Sequence, residues 1–397
     1  MRTNCTALLL MAAASLAAAQ SPFPSSRPVP FEDVLGLAYI HASVNGSRPL
    51  TMVLDSGAAY TVLQPAVATE LKINSSGTVQ THGLGADATL RMAQNATLRF
   101  AGQTLTGQTI SVLPLDYIEE EAGHKTDGLL GFDVFSKFDI LEDYRAHTIT
   151  LIPPAEFVAP AGYAPIPVIV SGTVALVQLA VGGADGKPVP GIFLIDSGTV
   201  GNMILMKPFV DAHPSLQPKK LVSVPSVTAV GGKLDIAVGK LGFVDCGSYS
   251  FRNLPAVYMR SQNPGTPAML AGLLGNGILQ KFDVIFDYPH SRIWLKPNAD
   301  YSKPFPADGS GILPAVKPPR YDAVLVRDVI AGSPAALAGV QAGDRIVRMS
   351  LNGGKLLEPG SLSQFRKAMW KPDEHVMLEL SRAGKLVTVH FHTRPLI

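Results

Sequence analysis

From about residue 30 onward, apolar side chains fall in short runs separated by Gly, Pro, Asn and Asp, and no stretch sustains a long helical periodicity. That pattern predicts a chain built mostly from short β-strands and turns. Two of the runs contain something a buried strand seldom holds. "LTMVLDSGAAYTVLQ" (50–64) and "GIFLIDSGTVGNMIL" (191–205) each pass from apolar residues into Asp-Ser-Gly and back again. An ionised carboxylate buried without partners costs several kcal/mol, so Asp55 and Asp196 need a specific purpose.

The pattern also repeats. "DGLLGFDVFSKFDILEDYRAHTITLIP" (127–153) aligns with "AGLLGNGILQKFDVIFDYPHSRIWLKP" (271–297) at an offset of 144, bringing Gly128, Leu129, Gly131, Lys137, Asp139 and Tyr144 onto Gly272, Leu273, Gly275, Lys281, Asp283 and Tyr288. The two Asp-Ser-Gly sites are 141 apart, a net length change of three. Each is preceded by a hairpin signal, Asn45-Gly46 or Asp185-Gly186, between short apolar strands. Each half therefore reads as a hairpin, an Asp-Ser-Gly loop, glycine-punctuated strands, Leu-Leu-Gly and a closing hairpin: one β-rich lobe written twice.

The pattern changes near residue 303, where "KPFPADGSG" and "VKPPRY" mark a boundary. Beyond it lie a strand, a short Ala-rich helix, a glycine turn, another strand, the helix "SLSQFRKAMW" and the strands "HVMLELSRAG" and "KLVTVHFHT", a small α+β unit. The expected segments are 1–19, 20–160, 161–302 and 303–397.

Composition narrows the picture. The 397 residues suffice for two or three domains, and 47% hydrophobic residues supply their cores. The 37 glycines and 32 prolines suit turns. A formal charge of +2 favours neither nucleic acid nor an anionic membrane as partner. Arg2, the apolar "ALLLMAAASLAAA" and the small residues Ala17 and Ala19 follow the order of a secretory signal peptide, with cleavage expected after Ala19 and no membrane span in the remainder. Cys5 lies in that segment, which leaves Cys246 alone, without a disulfide and best read as a small buried hydrophobe.

One Asp-Ser-Gly is usually an ordinary turn. Two in equivalent lobes are different, because a pseudo-twofold axis would bring Asp55 and Asp196 together. Carboxyls a few ångström apart share a proton, so one can serve as general base on a water while the other, protonated, polarises a carbonyl. No metal or organic cofactor is needed. Ser56 and Ser197 can tie the loops across the interface or bond the carboxyls, and Gly57 and Gly198 let backbone N–H groups approach them.

On these residues the chain resembles the aspartic proteases. "LDSGAAYTVL" is similar to the active-site loop of retroviral-type enzymes and "LIDSGT" to that of pepsin-like ones. "LLGFDVF" and "LLGNGIL" resemble the segment that supports each loop, and "VIFDYPHSRIWLKP" resembles a closing hairpin. The resemblance covers about 30–300 and implies a mainly β fold of two pepsin/retropepsin-like β-barrel lobes with pseudo-twofold symmetry. It implies catalysis by Asp55 and Asp196, with Ser56, Gly57, Thr61, Ser197, Gly198 and Thr199 supporting them. Two features depart from the family pattern: Thr61 has Asn202 as its counterpart, and Asp127 has Ala271. Flap hairpins are expected at "THGLGADATLRM", with Gly83 and Gly85, and at "AVGGKLDIAVG", with Gly231 and Gly232.

"AGSPAALAGVQAGDRIVRMSLNG" resembles the PDZ domains of secreted and periplasmic bacterial proteases. The resemblance implies peptide binding by strand addition, with a carboxylate-binding loop expected near Ser310, Gly311, Ile312 and Leu313. A purely packing role for this unit is the alternative. His390 and His392 share a strand face and read as a solvated surface rather than a metal site. Asp139, Asp143, Asp283 and Asp287 read as turn holders, and Asn45, Asn74 and Asn95 satisfy the glycosylation pattern.

The expectation is thus a secreted or periplasmic aspartic endopeptidase acting on protein or peptide substrates, its PDZ-like unit taking a C-terminal peptide. A protease-like binding protein without turnover is the rival, and pairing of each lobe with another chain is a third arrangement.

Overall fold

The structure, a computed structural model, describes residues 26–397; the expected signal segment lies outside them. The chain is mainly β, and its sheets display the internal repeat directly. In the first lobe the strand order is Glu32–Val34, Leu37–Val44, Leu50–Leu54, Gly128–Leu130, Thr61–Leu63, Gln103–Val112, Asp87–Phe100 and Gly77–His82. In the second it is Ala164–Ser171, Val174–Gly182, Val189–Asp196, Leu270–Gly275, Met203–Leu205, Tyr249–Met259, Gly232–Cys246 and Leu221–Ala229. The two orders correspond strand for strand. In each hairpin that precedes an Asp-Ser-Gly loop the turn holds a left-handed glycine, Gly46 at φ 74° and Gly186 at φ 71°.

The closing hairpins of both lobes join in one sheet, whose centre pairs Asp139–Asp143 antiparallel with Phe282–Asp287. There Ile140, Leu141 and Glu142 oppose Phe286, Ile285 and Val284. At the repeat offset of 144, Leu141 faces its own counterpart Ile285. A twofold axis between the two strands requires that pairing. Phe135 and Phe286 pack edge to face across the junction with centroids 5.2 Å apart, and both are fully buried. One hydrophobic core therefore runs through both lobes, which fixes their relation.

Two readings of acidic residues need correction at this junction. Asp143 does hold a turn, accepting from the N–H groups of Arg145 and Ala146. Asp139, however, is wholly buried beside Asp287, and Asp283 lies opposite Lys296 within a strand pair. Position within the sheet decides the role, and that position depends on pairing between distant segments.

The C-terminal unit has its own core and a five-stranded sheet in the order Ile312–Lys317, Arg320–Val329, Arg345–Leu351, His375–Arg382 and Lys385–His392. Its helix Leu362–Met369 begins with a capping box, in which Ser361 and Gln364 exchange side-chain and backbone hydrogen bonds. The expected limits near 160 and 302 fall between strands, in the segments after Ile152 and Pro297.

Candidate active site

Each Asp-Ser-Gly loop follows the end of a strand and is backed by Leu-Leu-Gly. Leu50–Leu54 runs parallel to Gly128–Leu130, and the Asp55 N–H donates to Leu130 O at 2.9 Å. Val189–Asp196 pairs in the same way with Leu270–Gly275. This explains the spacing in the sequence: the loop leaves one strand and its supporting segment returns beside it.

The loops clasp each other. The Ser56 N–H donates to Ser197 Oγ at 3.0 Å, and the Ser197 N–H donates to Ser56 Oγ at 3.0 Å. Each hydroxyl then donates across the seam, Ser56 to Ile195 O at 3.0 Å and Ser197 to Leu54 O at 3.1 Å. Of the two roles open to the serines, the structure shows the inter-lobe tie. Both are buried, so the four bonds act where water does not compete.

The tie brings the carboxyls together. A Cβ on Gly57 would lie 2.8 Å from Asp196 Cγ, and one on Gly198 would lie 2.4 Å from Asp55 Cγ. Only glycine fits at either place, because each loop passes over the other lobe's aspartate. Burial first, and the neighbouring Asp196 charge second, push the Asp55 carboxyl up to about 7, against hydrogen bonds from the N–H groups of Gly57, Ala58 and Gly198. Burial also raises Asp196, which is opposed by the Thr199 hydroxyl donating to its Oδ2 at 2.7 Å. The first loop has Ala58 at that position. One carboxyl of the pair thus has a hydroxyl donor and the other lacks one.

The departure at Asn202 is part of a paired exchange. In the first lobe Thr61 Oγ1 donates to Asp133 Oδ2 at 2.7 Å. In the second, the counterparts are Asn202 and Gly277, and a Cβ on Gly277 would lie 2.2 Å from Asn202 Oδ1. The longer amide occupies the room that the aspartate takes in the other lobe, and it donates to Pro255 O at 2.8 Å. Asp133 escaped the sequence reading, although its simultaneous change with Thr61 was visible there. Asp127, the other departure, is buried and receives Arg48, Lys125 and the Thr51 N–H. Burial opposes its ionisation, but those donors hold it below its ordinary value.

Above the carboxyls lies a cleft of about 490 Å³ with a mostly apolar lining that includes Tyr60, Leu115, Tyr117, Ile118, Leu194 and Met206. The four glycines expected at hairpin tips meet over it. The Gly85 N–H donates to Val230 O at 3.1 Å, a Cβ on Gly83 would lie 2.2 Å from Val230 O, and one on Gly231 would lie 1.9 Å from Ala86 O. Gly232 follows at the start of its strand with φ 110°. Leu84, on the first tip, packs against a second-lobe cluster that includes Met206 and Ile236. Asn263 Nδ2 donates to Gly83 O at 3.1 Å and to Asp87 Oδ1 at 2.9 Å, a clasp that sequence reasoning did not find.

Among the described residues, Asp139, Asp287 and His290 bring potential metal-ligand atoms within 4.8 Å of one another. Burial first, with Asp287 beside it, pushes Asp139 up to about 8, while Asp287 accepts from Trp294 Nε1 at 2.9 Å and lies 2.5 Å from His290 Nδ1. Cys246 is buried, with its thiol pushed up to about 12 by burial, as suits a core residue. His390 and His392 are exposed.

The expected carboxylate loop of the C-terminal unit is already occupied. Asp308 accepts from the Ser310 N–H at 3.1 Å and the Gly311 N–H at 2.6 Å, while the Ile312 N–H donates to Ser310 Oγ at 3.0 Å. Leu313 is paired with Asp328. A nearby aspartate satisfies the donors that were assigned to a peptide terminus, so the candidate loop presents no free nest in this arrangement.

Two parts of the chain match models of known families. Residues 40–134 match the family model for aspartyl protease, a span that includes Asp55 and Leu129-Leu130-Gly131. Residues 325–382 match the model for a PDZ domain. Among solved structures, the chain is similar to an aspartic proteinase from Irpex lacteus, with 11% identity, a TM-score of 0.44, and coverage of 70% of this chain and 99% of that one. No curated protein matches. The first lobe thus carries the aspartyl protease match and the C-terminal unit the PDZ match, and the second lobe repeats the strand order of the first. Among the described residues no helix is long and apolar enough to cross a membrane.

Proposed function

We propose that this protein is an exported aspartic endopeptidase. The carrying observation is the reciprocal serine clasp, which holds Asp55 and Asp196 together on the floor of a mostly apolar cleft. Asp55, the carboxyl without a hydroxyl donor, keeps the shared proton. Asp196, oriented by Thr199, is the base. A water between them gives its proton to Asp196 as its oxygen adds to the peptide carbonyl carbon, while Asp55 donates a hydrogen bond, then its proton, to the carbonyl oxygen. Collapse of the tetrahedral diol breaks the C–N bond, with a proton passing from the carboxyl pair to the departing amine. The apolar walls strengthen these interactions by excluding water.

The paired glycine tips act as flaps that part to admit an extended chain. Export rests on the sequence of residues 1–19. The PDZ domain supports a further peptide-binding role by strand addition at Ile312–Lys317, the free edge of its sheet. That edge lies beside the helix Asp116–Ala122, so a peptide reaches it only when the helix withdraws.

The test is cleavage of a denatured protein from acid to neutral pH. Asp55→Asn and Asp196→Asn should each lower kcat/KM on the order of 10³-fold, and a pepstatin-like transition-state analogue should inhibit the wild type. Cleavage indifferent to both substitutions would remove the dyad from the mechanism. Absence of cleavage, with saturable peptide binding retained, would favour the binding-protein reading.

A further inference from the structure

The C-terminal PDZ domain touches both walls of the cleft through one strand. Arg320–Val329 sends Tyr321 OH to Glu119 Oε2 at 3.1 Å and Arg327 Nη2 to Glu121 Oε1 at 2.9 Å, both on the first-lobe helix Asp116–Ala122. The next residue, Asp328, accepts from Ser226 Oγ at 2.7 Å, on the strand Leu221–Ala229 that leads to the second hairpin tip. Neighbouring residues of a strand point to opposite sides, so Arg327 and Asp328 can reach two different lobes.

The first contact is more than a surface ion pair. The side chains of Arg327 and Glu121 are only 18% and 34% exposed. Gly123, which ends the helix, lies so close to Leu362 that a Cβ would be 2.6 Å from the Leu362 Cβ. Trp370 packs against the first-lobe cluster that contains Leu115 and Ala122. Leu115, Tyr117 and Ile118, at the start of this same helix, line the cleft. The second contact leads within a few residues to Val230, whose carbonyl receives the Gly85 N–H where the tips meet.

We propose that Arg327 and Asp328 are positioning residues: the strand Arg320–Val329 straps the cleft-wall helix of one lobe to the flap hairpin of the other and holds the cleft closed. The strap acts through Glu121 and Ser226, not on the reacting atoms. Its connection to turnover rests on the protease reading, but the mechanical claim does not.

Hydrogen exchange of the full chain separates the two. Arg327→Ala should speed exchange over 116–123, where contact is lost, and also over 83–86, where Arg327 touches nothing. The expected increase at both is about threefold to tenfold, the range for losing one partly buried ion pair in a locally opening segment. Ser226→Ala, at an exposed position, should work in reverse and speed exchange over 116–123. Peptides from the junction, 139–152, should exchange as in the wild type and so report an intact fold. Loosening confined to each variant's own contact would overturn the strap. In cleavage assays KM should rise more than kcat falls. Coupled exchange in a protein that cleaves nothing would leave the strap standing and defeat the protease reading.

Discussion

The two lobes share a strand order, a loop clasp and a glycine-tipped hairpin, yet their side chains differ where charge is handled. Thr199 has Ala58 as its counterpart, Thr61 and Asp133 have Asn202 and Gly277, and the buried Glu142 has Phe286. The backbone needs symmetry to bring two distant aspartates to one seam. In the proposed dyad, unmatched polar neighbours give the shared proton a preferred owner. The comparison teaches that the fold brings the pair together and that a few unmatched polar residues tell its members apart.

Glu142 offers the largest expected effect. It is 1% exposed in the central strand pair, and burial pushes its carboxyl up to about 8. Between the ordinary glutamate range and 8, the unfolded chain has released the proton and the folded chain retains it, so stability falls as pH rises through that window. Above it both states are ionised and the slope flattens. The loss should amount to roughly 2–5 kcal/mol for this group. Denaturant titrations at pH 5 and pH 9 should show it in the wild type, and Glu142→Gln should reduce the difference. Equal slopes for the two proteins would mean that Glu142 is not the group responsible.

The paired exchange around the loops makes a smaller prediction. Asp133→Ala leaves the buried Thr61 hydroxyl without its acceptor and should cost about 1–3 kcal/mol. Importing the other lobe's solution, T61N with D133G, should recover most of that cost and the activity with it. If the double variant is as unstable as the sum of its parts, the two arrangements are not interchangeable, and the lobes differ more deeply than these residues indicate.

Much of this was legible in the sequence because it is local. The offset of 144, the Asp-Ser-Gly loops, Leu-Leu-Gly and the glycine tips are all short stretches whose meaning comes from being doubled. The features that were not legible involve partners far apart. Asn263 reaches Gly83 across 180 residues and adds a second bond at the first tip. The helix Asp116–Ala122 gives no long amphipathic pattern, yet it joins the cleft to the PDZ domain. At the expected peptide-terminus loop the unread partner is local: Asp308 is only two or three residues away, but which N–H groups it captures depends on the folded turn.

The sharpest test of the asymmetry is the smallest in size. A dyad with one proton works between two limits: below the lower value both carboxyls are protonated, and above the upper one both are ionised. With Asp55 pushed up to about 7, the alkaline limb of kcat/KM should fall near neutrality. Thr199→Ala removes the hydroxyl from Asp196 and makes the second loop resemble the first. The ionised form of Asp196 loses a donor, so the acid limb should move to higher pH while the alkaline limb stays in place. Ala58→Thr is the mirror experiment, giving Asp55 a donor and drawing the alkaline limb downward. If Thr199→Ala moves the alkaline limb instead, the proton belongs to Asp196, and the roles of acid and base must be exchanged.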